Sequence, residues 1–127
     1  MESLLIKATN STPEINFNFE SGNLLIKGDS YPENAFAFYK PVMKWIEEFI
    51  AINQKRINLN VQLIYFNSST SKTLYDLFDI LNEIKKDDID VIINWIYDEK
   101  NYSAFEFGEE FKEDYELLTF NLVPNLN

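Results

Sequence analysis

The segment Ile57-Asn-Leu-Asn-Val-Gln-Leu-Ile-Tyr-Phe66, followed by Asn67-Ser-Ser-Thr-Ser-Lys72 and then by residues 73–86, decides the fold. From Ile57 onward, apolar residues alternate with amide residues, which predicts a central β-strand. At Ile64 and Phe66 both faces become apolar, which indicates that the end of this strand lies under cover. Residues 73–86 carry apolar side chains at helical spacing and predict an amphipathic helix.

Four consecutive hydroxyl residues, Ser68 to Ser71, lie between the predicted strand and the predicted helix. The first turn of a helix has N–H groups without partners and the positive end of the dipole, so a hydroxyl there can cap the helix. The same groups can hold a phosphate, and Lys72, four residues after Ser68, can neutralise part of its charge. Two interpretations stay open: hydroxyls that only cap the helix, or a site of reversible phosphorylation.

The composition excludes several classes of function. A chain of 127 residues is long enough for one domain with its own core, and we expect a single domain over residues 1–127. The chain contains no Cys and no His. It therefore has no disulfide framework, no thiolate metal site, no cysteine nucleophile and no Ser-His-Asp triad.

The charge of the chain is strongly acidic, with a formal net charge of −10. Such a chain repels the phosphates of nucleic acids and anionic membrane surfaces, and it suits a basic or mixed-charge protein partner. The N-terminus shows no basic-then-apolar signal pattern, and no apolar run approaches the length of a membrane span. We therefore expect a cytoplasmic protein that binds neither nucleic acid nor membranes.

The flanking regions extend the α/β pattern. In chain order we expect an edge strand or docking arm at Leu4–Lys7, a hairpin formed by Ile15–Phe19 and Leu24–Lys27, a helix over Ala35–Ile52, a strand over Ile89–Tyr97, a helix marked by Ala104, Phe107, Gly108 and Phe111, and a strand over Leu117–Val123 that Pro124 ends. Pro41 either begins the main part of the first helix or kinks it. This order predicts an α/β domain with a mixed, mostly parallel sheet, an N-terminal hairpin and about three main helices.

Two exposed surfaces are candidates for partner contact. Tyr31 and Glu33 lie in a loop that is either a contact surface or a plain connector. On the helix after the hydroxyl run, three acidic residues lie opposite the apolar stripe, with Tyr75 at its border. They are Asp76, Asp79 and Glu83. This face is either simply solvated or a docking face for a partner.

Three motifs together resemble the SiaC-type bacterial regulatory phosphoproteins. They are Gly28-Asp-Ser-Tyr-Pro-Glu-Asn-Ala35, Asn67-Ser-Ser-Thr-Ser-Lys72 and Asn94-Trp-Ile-Tyr-Asp98, and the early Ser11-Thr-Pro13 is also similar. The resemblance implies a single STAS-like domain, similar to anti-sigma factor antagonists, that acts in partner switching. It also implies a SiaB-like serine/threonine kinase, a SiaA-like phosphatase of the PP2C type, and an effector such as a SiaD-like diguanylate cyclase, linked to cyclic di-GMP signalling and biofilm formation.

The resemblance also implies roles for individual residues. In this family the phosphorylated hydroxyl directly follows the junction Asn, which places it at Ser68, where the best-known member carries Thr; Ser69 and Thr70 are the alternatives. The expected partner-binding residues are Tyr31, Glu33, Asn67, Lys72, Tyr75, Asp76 and Asp79. We expect no catalytic residue, no metal and no cofactor.

Two other functions remain open at this stage. Carboxylates in the loops might converge on Mg²⁺ in a small metal-dependent enzyme; they are Asp29, Glu33, Asp98 and Glu99. Alternatively, the protein is a constitutive adaptor in which the junction hydroxyls only cap the helix.

Overall fold

The computed structural model describes residues 1–52, 56–85 and 89–125. Within these ranges the chain forms six strands and three helices: β1 (Leu4–Ile6), β2 (Glu14–Phe17), β3 (Asn23–Ser30), α1 (Ala35–Ile52), β4 (Arg56–Phe66), α2 (Ser68–Lys85), β5 (Asp90–Asp98), α3 (Tyr102–Asp114) and β6 (Thr119–Asn125). No helix in these ranges is both long and apolar enough to cross a lipid bilayer.

The strands form one sheet in which their spatial order equals their order in the chain. β1 pairs antiparallel with β2, and β2 pairs antiparallel with β3. From β3 to β6 every neighbouring pair is parallel. This confirms the predicted mixed, mostly parallel sheet with an N-terminal hairpin, and β1 is the edge strand of that sheet.

All three helices pack on one face of the sheet. Right-handed crossovers between neighbouring parallel strands put each connecting helix on the same side. The inward side chains of β4 are fully buried or nearly so: Ile57, Leu59, Val61 and Leu63. They join one core cluster with apolar side chains of the other strands and of all three helices. The alternation along β4 therefore predicted the covered face correctly.

The opposite face of the sheet is lined by asparagines, which bond to one another across the strands. The Asn94 Nδ2 group donates to Asn58 Oδ1 at 3.2 Å and to Asn60 Oδ1 at 3.0 Å. Asn121 Nδ2 donates in turn to Asn94 Oδ1 at 3.0 Å. Parallel sheets are usually covered on both faces, so this amide ladder gives the uncovered face polar groups that satisfy one another and can be hydrated.

Three predicted boundaries need correction or completion. α2 begins at Ser68 and not at residue 73, while residue 86 lies outside the described ranges. β6 continues through Pro124, which pairs with Tyr97, because an edge strand tolerates a residue without an N–H donor. Pro41 lies inside a continuous α1, so the long-helix alternative applies.

Candidate functional site

The first turn of α2 lies at the edge of the sheet where the parallel strands end. β3 ends at Ser30 and β4 ends at Phe66, and these two residues are register partners. The N–H of Asn67 donates to the carbonyl oxygen of Ser30 at 3.1 Å. This bond fixes the junction between β4 and α2 against the end of β3.

An asparagine, and not a hydroxyl residue, caps α2. The Asn67 side-chain oxygen accepts the N–H of Thr70 at 3.0 Å, and its backbone oxygen accepts the N–H of Ser71 at 3.0 Å. Asn is among the best N-cap residues because its side-chain oxygen satisfies an amide that has no intrahelical acceptor. Capping therefore does not explain the four hydroxyls, which form the first turn itself.

The four hydroxyl residues differ sharply in exposure. Ser68 and Ser69 are exposed and Ser71 is half-buried. Thr70 is 0% exposed, and its hydroxyl donates to the carbonyl oxygen of Ser30 at 3.0 Å. A modifying enzyme can therefore reach the hydroxyls of Ser68 and Ser69 in this conformation, whereas the Thr70 hydroxyl is enclosed.

The electrostatic surroundings of Ser68 suit an added negative charge. Its own N–H and that of Ser69 lie in the first turn, where helical amides lack an intrahelical acceptor and the dipole is positive. Lys72 is exposed one turn further along the helix. A phosphate on Ser68 can thus be accommodated without unfolding α2.

One side of the α2 first turn borders a cleft of about 340 Å³. Several predicted partner-binding residues meet there, with a large exposed apolar side chain beside them. The lining includes Glu33, Phe36, Ser69, Lys72 and Asp76. Phe36, which the sequence analysis did not single out, is 75% exposed. Its position in the apolar stripe of α1 could not reveal this, because the exposure depends on where α2 ends.

The β4 end borders a second cleft, of about 430 Å³, lined in part by Ile64, Tyr65 and Phe107. The ring of Tyr65 also contacts the ring of Tyr31 edge-on, with centroids 5.6 Å apart. Ile64 is 67% exposed and Tyr65 57% exposed, so the prediction that this strand end lies under cover was wrong for Ile64. The cause is that β4 pairs with β5 only as far as Val61.

Tyr75 and Asp79 face α3 and do not line the cleft that contains Glu33. The Tyr75 hydroxyl donates to Asp114 Oδ2 at 3.1 Å, and the Tyr115 hydroxyl donates to Asp79 Oδ1 at 2.7 Å. Burial, together with the bond to Asp79, raises the pKa of Tyr115 above its ordinary value. The predicted partner-binding set is thus divided between the surface beside Ser68 and the contact between α2 and α3.

The carboxylates of the metal-enzyme alternative do not converge. Across residues 1–52, 56–85 and 89–125, no three acidic side chains lie close enough together to hold a metal ion. Asp29, Glu33, Asp98 and Glu99 therefore do not form the ligand set that a Mg²⁺ site requires.

Comparisons with known proteins agree with this geometry. A family model for the SiaC family of regulatory phosphoproteins matches residues 6–125. An uncharacterized protein of Pseudomonas aeruginosa (strain UCBPP-PA14) is 39% identical over 114 residues, which is 90% of each chain.

Solved structures are similar over nearly the whole chain. Apo-SiaC from Pseudomonas aeruginosa superposes with a TM-score of 0.88 at 36% identity, covering 99% of this chain and 100% of that one. A crystal structure of the diguanylate cyclase SiaD in complex with its activator SiaC, also from Pseudomonas aeruginosa, matches with a TM-score of 0.86 at 36% identity, covering 95% and 97%. The chain belongs to the SiaC family of regulatory phosphoproteins.

Proposed function

We propose that this chain is a non-catalytic regulator whose partner binding is controlled by reversible phosphorylation of Ser68. One observation carries the proposal: Ser68 is an exposed hydroxyl at the first helical position after a cap that does not use it. Its hydroxyl is therefore available for modification without loss of the helix end. A SiaB-like kinase adds the phosphate and a SiaA-like phosphatase of the PP2C type removes it.

The proposed effector of the unphosphorylated form is a diguanylate cyclase. Support comes from the similar SiaC protein of Pseudomonas aeruginosa, which is described as the activator of the diguanylate cyclase SiaD. In this chain, exposed apolar side chains flank Ser68 from both neighbouring clefts, including Phe36, Ile64 and Tyr65. Apolar side chains of this kind are enriched at the centres of protein interfaces.

A phosphate on Ser68 blocks this surface by charge and by size. It adds about −1.5 to −2 charges at one point. Glu33 and Asp76 already line the adjoining cleft, so the new charge reinforces repulsion of an acidic partner surface. Contact of the flanking apolar side chains with the effector also requires removal of water, which a doubly charged phosphate opposes. No rearrangement of the fold is needed.

The first test is phosphopeptide mass spectrometry on the full chain purified from its native host and from a strain without the phosphatase. We expect a phosphate on Ser68. A phosphate confined to Ser69 retains the switch and moves its site. If no hydroxyl of the junction is modified in either strain, the regulatory proposal fails.

The second test is calorimetric binding of a purified diguanylate cyclase from the same host. Ser68→Ala is expected to bind like the unphosphorylated wild type, and Ser68→Asp at least about tenfold more weakly, because like-charge contacts in interfaces are costly. Thr119→Asp is the matched control, since it adds the same charge at the exposed first residue of β6. Equal affinities for Ser68→Ala and Ser68→Asp would instead support a constitutive adaptor.

A further inference from the structure

Three buried hydroxyl groups meet beneath the first turn of α2. The Ser30 Oγ atom lies 2.6 Å from the Tyr39 hydroxyl oxygen and 2.8 Å from Thr70 Oγ1. Ser30 and Thr70 are 0% exposed and Tyr39 is 2% exposed. These contacts join the end of β3, the second turn of α1 and the first turn of α2.

The hydrogen bonds of this cluster run in a single direction. Thr70 donates its only hydroxyl proton to the carbonyl oxygen of Ser30, which can only accept. Ser30 must therefore donate to Thr70 Oγ1, and Tyr39 must donate to Ser30 Oγ. Each of the three protons has one acceptor, so the chain from Tyr39 through Ser30 to Thr70 is fully satisfied.

The Tyr39–Ser30–Thr70 chain fixes the segments that surround Ser68. Ser30 is the last residue of β3 and directly precedes Tyr31. Its carbonyl oxygen also accepts the N–H of Asn67, the residue before Ser68, at 3.1 Å. The position of the α2 first turn relative to the loop that begins at Tyr31 is therefore set through one residue.

Hydroxyl groups at this place specify position more than they add stability. Apolar side chains of similar volume pack well in a buried site and require no partners. A buried polar chain, in contrast, is satisfied only when donors and acceptors meet at the correct distances. Such a chain penalises a displaced or rotated first turn, which a purely apolar contact tolerates.

We infer that Tyr39, Ser30 and Thr70 are positioning residues that hold the first turn of α2 so that Ser68 is presented correctly to its kinase. This inference rests on the proposed phosphorylation of Ser68. It gives Thr70 the role of an anchor and not of a phosphate acceptor.

The test compares Thr70→Val, which keeps the shape of the side chain without its hydroxyl, with Thr70→Ser, which keeps the hydroxyl. The first readout is amide hydrogen exchange at positions 70 and 71, whose N–H groups are bonded to Asn67. Thr70→Val should raise both exchange rates about tenfold, since an unpaired buried donor favours local opening. Thr70→Ser should stay within about twofold of wild type, because the donor and acceptor both remain.

The second readout is phosphorylation of Ser68 by a purified SiaB-like kinase with ATP. Thr70→Val should lower kcat/KM about tenfold, mainly through kcat, because the chain still docks while the hydroxyl is misplaced. Thr70→Ser should restore the rate. Tyr39→Phe and Ser30→Ala should act in the same direction.

Ile57→Val is the matched control, because Ile57 is fully buried near the opposite end of β4. It should lower thermal stability without changing either readout by more than about twofold. The inference is overturned if Thr70→Val behaves like wild type, or if Thr70→Ser is as defective as Thr70→Val. If the kinase leaves Ser68 of the wild type unmodified, the proposed function fails, while the exchange measurements still decide on positioning.

Discussion

The first turns of α2 and α3 are built around the same cap but carry different side chains. Asn67 and Asn101 each accept the N–H of the third helical residue, at 3.0 and 3.1 Å. Both helices start at the edge of the sheet where the parallel strands end. After the cap, α2 continues with Ser-Ser-Thr and α3 with Tyr-Ser-Ala. The comparison teaches that the cap alone is enough to start a helix here, so the extra hydroxyls of α2 serve another purpose.

The two turns are also anchored by different chemistry. In α3, Trp95 Nε1 donates to the carbonyl oxygen of Ala104 at 2.9 Å, and Asn101 Nδ2 donates to the carbonyl oxygen of Ile64 at 3.0 Å. In α2 the anchor is the Tyr39–Ser30–Thr70 chain of hydroxyls. Variants that weaken one anchor and leave the other intact can therefore separate the two roles.

The largest expected effect is the loss of stability caused by Gly108→Ala in α3. A Cβ atom at this position would lie 2.5 Å from Trp95 Cδ1 and 2.8 Å from Leu122 Cδ2. Overpacking of this kind costs about 1–3 kcal/mol, which exceeds the helix-propensity gain of about 1 kcal/mol. Urea denaturation should show the lower midpoint, and hydrogen exchange should rise near Ala104 because Trp95 is displaced.

Ser103→Ala is the control for Gly108→Ala, because it changes an exposed residue of the same helix. It should alter the free energy of unfolding by less than about 0.5 kcal/mol. An unchanged midpoint for Gly108→Ala would mean that the sheet and α3 separate easily, which would contradict the close packing described above.

The next effect is a difference between the two caps. Asn67→Ala should cost about 1 kcal/mol, whereas Asn101→Ala should cost about 1–2 kcal/mol because it also removes the donor to Ile64. Both free energies can be measured by urea denaturation. Aspartate variants sharpen the comparison, since Asp keeps the capping oxygen and lacks the amide donor. Asn67→Asp should resemble wild type and Asn101→Asp should be intermediate; equal behaviour of the two would contradict the second role of Asn101.

Local patterns were enough to predict the framework of the fold. The alternation from Ile57 to Leu63 predicted the covered face of β4, because a strand has a period of two residues. The helical spacing of Leu74, Leu77, Phe78 and Leu81 predicted the buried face of α2. Each of these features depends on residues that are neighbours in the chain.

The side-chain environment of the site depends on distant residues and could not be predicted in the same way. Thr70 is buried because Ser30, 40 residues earlier, lies beside it. Asp79 is engaged by Tyr115, which lies 36 residues away in the chain. Ile64 is exposed because β5 leaves β4 after Val61, a fact of strand pairing that the apolar pattern does not contain.

The smallest expected effect is an alkaline one, and it distinguishes the two anchors by their ability to titrate. Burial raises the pKa of Tyr39 from 10.0 to about 12. The folded state thus holds this proton more tightly than the unfolded chain. The resulting stability is complete below about pH 10 and is lost as the pH rises through about 12. The indole and amide donors that anchor α3 do not titrate in this range.

Tyr39→Phe should therefore be less stable than wild type near neutral pH, and the difference should shrink by about 1 kcal/mol near pH 11. Urea denaturation at several pH values measures this convergence. Tyr75 and Tyr115 also have raised pKa values, but they contribute equally to both proteins and cancel in the comparison. Tyr102→Phe, at an exposed position, should run parallel to wild type. Parallel curves for Tyr39→Phe as well would mean that its proton is not held by the hydroxyl chain, and the contrast between a titratable anchor in α2 and a non-titratable one in α3 would disappear.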